Sequence, residues 1–192
     1  MAVTLLGTIP GFVPDAERVR QAIEAHRPDC IALGIPPEDM ESLHALMDDP
    51  KALDDIPEVD GVEALFLSSL MEFGDIQVIP SPDLEAAMQS GIPVHPIDMD
   101  DATHTDLYTE SVKVRHLVQK GRVAKRLEKK PPTKDNPYQL AVAWDQAQCK
   151  VRPLAALEAA REAHMAAELR AMDGNVLAIV HVARLAGIEA LL

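Results

Sequence analysis

The ten residues from His95 to His104 hold two imidazoles and three carboxylates: His95, Asp98, Asp100, Asp101 and His104. Nitrogen and hard oxygen donors suit a divalent metal ion, with His95, Asp98, Asp100 and His104 as candidate ligands and the ion as candidate cofactor. On a strand His95 and Asp98 point to opposite faces, so shared ligation requires a bend after Pro96. The competing expectation is a solvated acidic turn in which an Asp or Thr caps the next helix. His181 ends an apolar run, as a ligand or as a hydrogen-bonded rim histidine. Arg161 is a further candidate. Leu154, Leu157, Met165, Leu169 and Met172 form a helical stripe, and Arg161 lies four residues from both Leu157 and Met165, which turns it inward. A buried guanidinium needs anions, so Arg161 is expected to pair with Asp83 or Asp98, either holding a site together or binding a substrate carboxylate or phosphate.

These groups need a frame. A strand at 3–6, the turn Gly7-Thr8-Ile9-Pro10-Gly11, a helix from Pro14 and a strand at 30–33 make a βαβ unit. Pro14 suits a first helical turn, Asp15 and Glu17 suit the positive end of the helix dipole, and Val19, Ala22, Ile23 and His26 recur at helical spacing. Helices are expected at 37–47, 64–73 (apolar and buried) and 82–90, with an acidic surface connection at 48–60. Gly91 stops the third of these helices, and a strand at 93–98 follows. A long basic helix is expected from Asp106 to Glu128, broken by Lys129-Lys130-Pro131-Pro132 and a proline-rich linker reaching 138. A short helix at 141–148, a helix at 153–172 capped by Asp173-Gly174, a β run at 176–180 and a last helix at 182–191 follow.

Such alternation predicts an α/β fold, a mainly parallel sheet covered by helices, in a single domain spanning 1–192. Ligands of such sheets sit beyond the carboxyl ends of the strands, which gathers Thr8, Gly34, Asp98 and the turn after Val180 on one rim. The Gly7–Gly11 turn either offers backbone N–H groups to an anion, with Pro10 removing one donor, or is simply tight.

Composition narrows the function classes. With 192 residues the chain can bury a true core. No run approaches the roughly 20 apolar residues of a membrane span, and the opening segment is too short and uncharged for a signal peptide, so a cytoplasmic protein with no membrane contact is expected. Cys30 and Cys149 are expected as reduced, buried thiols. Aromatic residues make up only 3%, with one Trp, which leaves few platforms for stacking nucleic-acid bases. The net charge of −13 conceals nine Lys/Arg between Lys113 and Lys134 against one acid, Glu128, and leaves −21 on the rest of the chain. That asymmetry suggests a homo-oligomer, one molecule's basic helix meeting another's acidic surface. The alternatives are a nucleic-acid footprint, or a solvated helix whose apolar side carries Leu107, Val114, Val118 and Leu127.

Several segments together resemble the TraB/Tiki family, whose members carry a GTxH turn after the first strand, a glutamate ending the second, and later PGxE, DR and GxGH-like motifs. The match is spread over most of the chain. The stretch LLGTIPGFVPDAERVRQAIEAHRPDCIALGIPPEDMESL resembles the family's opening, keeping Gly7, Thr8 and the turn Arg27-Pro28-Asp29. Pro10 falls at the histidine position and Gly34 at the glutamate. PSPDLEAA resembles the PGxE stretch with Asp83 for the glutamate, and IDMDD the DR stretch with Asp98 kept and Met99 for the arginine. AAREAHMAAEL resembles a family helix through Arg161, Met165 and Ala166; VLAIVHVARLAGI resembles the final strand and turn, with Arg184 for the histidine and Gly187-Ile188 kept. Metalloprotease chemistry proposed for family members needs the replaced histidine and glutamates. The resemblance therefore implies a pseudoenzyme with a binding or assembly role, in which Thr8, Asp83, Asp98 and Arg161 form a remnant polar pocket for a small ligand. The alternatives are a divergent metal-dependent hydrolase or peptidase, its ion held by the His95–His104 cluster with Asp83 as base, and nucleic-acid binding through the basic helix.

Overall fold

The computed structural model describes residues 2–48 and 61–192. In chain order the elements are β1 (Ala2–Thr8), α1 (Pro14–His26), β2 (Cys30–Leu33), α2 (Pro37–Asp48), α3 (Gly61–Leu70), α4 (Pro82–Gln89) and β3 (Val94–Pro96). Then come α5 (Asp101–Ser111), α6 (Val114–Lys129), α7 (Pro137–Gln148), α8 (Arg152–Ala171), β4 (Asn175–His181), a 3₁₀ turn (Val182–Arg184) and α9 (Leu185–Glu189). The strands pair in the order β1-β4-β2-β3, all parallel. This is the expected α/β class, a parallel sheet covered by helices.

The period of two along the strands explains the layering. Ile31, Leu33, Leu177 and Ile179 face one side and pack with Ala16, Val19, Met40, Leu43, Ala86 and Ala87 of α1, α2 and α4. Cys30, Ala32, Val176, Ala178 and Val180 face the other and pack with Met165, Ala166 and Leu169 of α8 and Ile188 of α9. Val176 through Val180 are therefore all buried, as a strand covered on both faces requires. A third cluster, Ile9, Phe12, Leu70 and Ala141 with Phe66, Tyr138 and Val182 against it, lies past the carboxyl ends of β1 and β4. There α3 and α7 cap the sheet.

Register aligns the rim, since Thr8 pairs with His181, and Leu33 with both Ile179 and Pro96. At Gly34 a Cβ would stand 3.1 Å from Val180 Cγ1 and 3.3 Å from Val180 Cα, so β2 leaves the sheet through a gap with little room for a side chain.

Three expectations need correcting. The basic helix of 106–128 is two helices, because Asp100 accepts from Thr103 N at 2.8 Å and starts α5 early, while Val112 and Lys113 are extended and end it. His116 Nδ1 then accepts from Lys113 N at 3.1 Å and starts α6. The apolar side predicted for this segment is only partly covered: Leu127 is buried, whereas Val114 is 77% and Val118 52% exposed. The apolar helix expected to be buried at 64–73 is α3, a surface cap in which only Leu70 is buried. Of the expected acidic connection, residues 49–60 lie outside the described residues.

Candidate functional site

On the β1 side the rim is a closed polar network. Asp15, in the first turn of α1 and fully buried, accepts from Ile9 N at 2.7 Å, Tyr138 Oη at 2.7 Å and Arg18 Nη1 at 2.5 Å. Arg18 also donates to Gly7 O at 2.8 Å and lies 4.2 Å from the centre of the Tyr138 ring. Burial, then the Asp15 hydrogen bond and charge, push the Tyr138 phenol up to about 12. Ser81 Oγ accepts from Gly11 N at 2.8 Å and donates to Asp83 Oδ1 at 2.5 Å. Burial raises the pKa of Asp83, opposed by hydrogen bonds from the Ser81 and Thr8 hydroxyls. Two N–H groups that an anion in the Gly7–Gly11 turn would need, those of Ile9 and Gly11, are thus taken by Asp15 and Ser81.

The β3 and β4 side carries a chain of ion pairs. The Asp98 side chain, 2% exposed, accepts from Arg161 Nε at 3.1 and 3.3 Å, from Arg161 Nη2, and from Met99 N at 2.9 Å. Arg161 Nη1 donates to Glu158 Oε2 at 3.0 Å. Glu158 Oε2 also lies 3.3 Å from Arg184, which pairs further with Asp145 and with Glu162 Oε1 at 3.1 Å. Burial works against both guanidinium charges, but the surrounding carboxylates outweigh it and raise both pKa values. Gly187 makes room for this, because a Cβ there would meet Glu162 Oε2 at 2.0 Å. Burial pushes His181 down to about 4, opposed by Asp145 and assisted by Arg184 and Arg161. Its Nδ1 accepts from Ala183 N at 3.2 Å, which leaves the proton of the neutral ring on Nε2.

Beside this chain, at the end of the central strand, lies a cavity of about 230 Å³ lined by Glu63, Phe66, Ala141, Trp144, Asp145, Gln148 and His181. Trp144 is 2% exposed and its ring centre is 5.4 Å from that of Phe66. Among the described residues its Nε1–H has no hydrogen-bond partner. An orphaned buried donor costs about 1–3 kcal/mol.

The predicted site residues are brought together in pairs. Thr8 meets Asp83, and Arg161 meets Asp98 instead of Asp83. Neither pair lines the cavity. The four candidate metal ligands are not gathered: His95 is exposed on the edge strand β3, Asp98 is held by Arg161, Asp100 caps α5, and the His104 ring tilts against Tyr108 at 6.4 Å. Among the described residues no three His, Cys, Asp or Glu side chains group to hold a metal ion. Asp100 caps the next helix, as the competing expectation had it, whereas Asp98 of the same turn is buried and paired, not solvated. Sequence reasoning passed over Trp144, Asp145, Glu158 and Glu162. A signal existed, because Ala141, Trp144, Asp145 and Gln148 fall on one face of a helix in the pattern i, i+3, i+4, i+7.

Fold and site define a parallel α/β domain with a small cavity under a helical cap at the strand ends. No protein-family model and no curated protein matches the chain. Among the described residues no helix is long and apolar enough to cross a membrane.

Proposed function

We propose that this chain is a TraB-like domain that acts by binding a small polar molecule at the end of β4, and not by catalysis. The observation that carries this reading is the buried Trp144 Nε1–H, unpartnered among the described residues, beside a cavity that Trp144 lines together with neutral His181. The cavity is below the roughly 300–1,000 Å³ of drug-sized sites. Asp145 on its wall belongs to a chain of four carboxylates and two guanidinium groups, so the cavity suits a neutral or cationic molecule, planar enough to lie against Phe66 and Trp144, with an acceptor for the indole N–H. The groups that could do chemistry are committed elsewhere: Asp83 to two hydroxyls, Asp98 to a guanidinium.

Trp144 is the only tryptophan, so its emission reports directly on the cavity. Titrating a panel of small neutral and cationic heteroaromatic compounds should give a saturable change in emission and a matching rise in Tm. The Trp144→Phe chain should lose the Tm rise. No response across the panel in either signal, or stoichiometric metal by elemental analysis together with peptidase activity, would overturn the reading.

An assembly role is supported by a separate observation, the exposed Val114, Leu117 and Val118 on basic α6. A second copy's acidic surface would cover both the apolar and the charged groups. Sizing that shifts to monomer with rising salt would bear this out; one mass at all concentrations and salts would end it.

A further inference from the structure

The segment joining α6 to α7 walls a second concavity, of about 650 Å³. Its α7 wall is Ala143, Gln146 and Ala147, about half a helical turn from the face that carries Trp144 and Asp145, so α7 separates the two spaces. Arg126, Lys129 and Lys130 enter it from the end of α6, Lys134 from the connecting segment and Lys150 from beyond α7. Among the described residues lining it none is acidic. Cations in the last turn of a helix complement its dipole, which accounts for Arg126 and Lys129. It does not account for Lys134 and Lys150, which converge from other segments onto the same space. Mutual repulsion of five cations is relieved by a multivalent anion.

The floor is apolar, with Val123, Leu127, Pro131 and Pro132. It runs into a depression of about 410 Å³ that shares Lys134, Ala143 and Gln146 and is bordered by Tyr138, Val142 and Val182. A cationic end beside an apolar extension suits one kind of molecule. We infer that this groove binds a small organic phosphate ester with at least two phosphoryl groups, its phosphates among the five cations and its body over Tyr138 and Val142. Both volumes fall in the range of small-molecule sites. The inference is independent of the Trp144 cavity.

Calorimetric titration of the full chain with adenosine triphosphate and with inorganic tripolyphosphate tests it. Both should bind once per chain, the nucleotide roughly tenfold or more tighter because only it has a body to bury, and both weaker as salt rises. Lys129→Ala/Lys130→Ala should weaken both roughly tenfold or more. The charge-matched control Arg115→Ala/Arg122→Ala, on α6 but outside the groove, should leave them unchanged. Should the lysine variant fail to fold, acylation footprinting of the unaltered chain replaces it. Nucleotide should then protect Lys129, Lys130 and Lys134 but not Lys113. No heat with either probe, equal losses from the control pair, or tighter binding of a duplex oligonucleotide with the same sensitivity would overturn the assignment.

Discussion

Replacing Arg161 with Met removes the cation from Asp98 while keeping much of the aliphatic stem that packs along α8. Asp98 would lose its contacts to Nε at 3.1 and 3.3 Å and to Nη2, and keep the Met99 N–H at 2.9 Å. Breaking a fully buried pair costs about 3–5 kcal/mol. The Arg161 side chain is 29% exposed, so water reaches part of the vacated space and the expected loss is about 2–4 kcal/mol. At about 2–4 °C per kcal/mol for a chain of this size, Tm should fall by roughly 4–16 °C. Thermal and urea denaturation followed by circular dichroism would measure it, with a lower midpoint and an unchanged m-value. Adding Asp98→Asn should recover more than half of the loss, because the buried charge has then gone too. An unchanged Tm would refute the claim that the pair holds the rim together. A loss that the double variant does not recover would trace the effect to packing and not to charge.

Arg184→Met should cost more, about 3–5 kcal/mol, since the Arg184 side chain is only 8% exposed and its removal leaves Asp145, Glu158 and Glu162 without their shared cation. That deficit should grow as pH rises through the carboxylate range; a pH-independent deficit would contradict the charge argument. His181 adds a slope of the same sign: its pKa falls from 6.5 unfolded to about 4 folded, so between those values the unfolded chain binds the extra proton. Stability is therefore full above about pH 6.5 and declines by up to roughly 3 kcal/mol as pH falls to about 4, and His181→Asn should flatten that part of the profile. Tyr138→Phe should cost about 1.5–3 kcal/mol in urea denaturation, by taking one donor from the fully buried Asp15; a neutral result would mean that water replaces the phenol.

The strands and their order of burial were legible because the residues that form them carry local patterns. Val176–Val180 is an unbroken apolar run bounded by Gly174, and Pro14 with Asp15 and Glu17 marks the start of α1. The stripe of Leu157, Met165 and Leu169 placed Arg161 inward and narrowed its partner to two carboxylates. What failed was inference from nearness in sequence. His95 to His104 spans the end of β3, a turn and the start of α5, and that change of direction sends His95 outward while Asp98 turns in toward α8. The break at Val112-Lys113 was hidden because flanking basic residues keep a helical composition through it. The cavity draws on α3, α7 and β4, and no single segment records that meeting. Only the α7 face, Ala141 to Gln148, left a local trace.

The central position of β4 also decides how this chain must be made. β4 stands between β1 and β2, and among the described residues β1 has no other partner strand, yet β4 is the last of the four described strands in chain order. Until it emerges, β1 and β2 present open edges and the apolar faces of α1 and α8 lack their common floor. Order therefore arrives late and all at once, through contacts of long sequence separation, and a nascent or truncated chain stopping short of Asn175 is the form that a chaperone would meet.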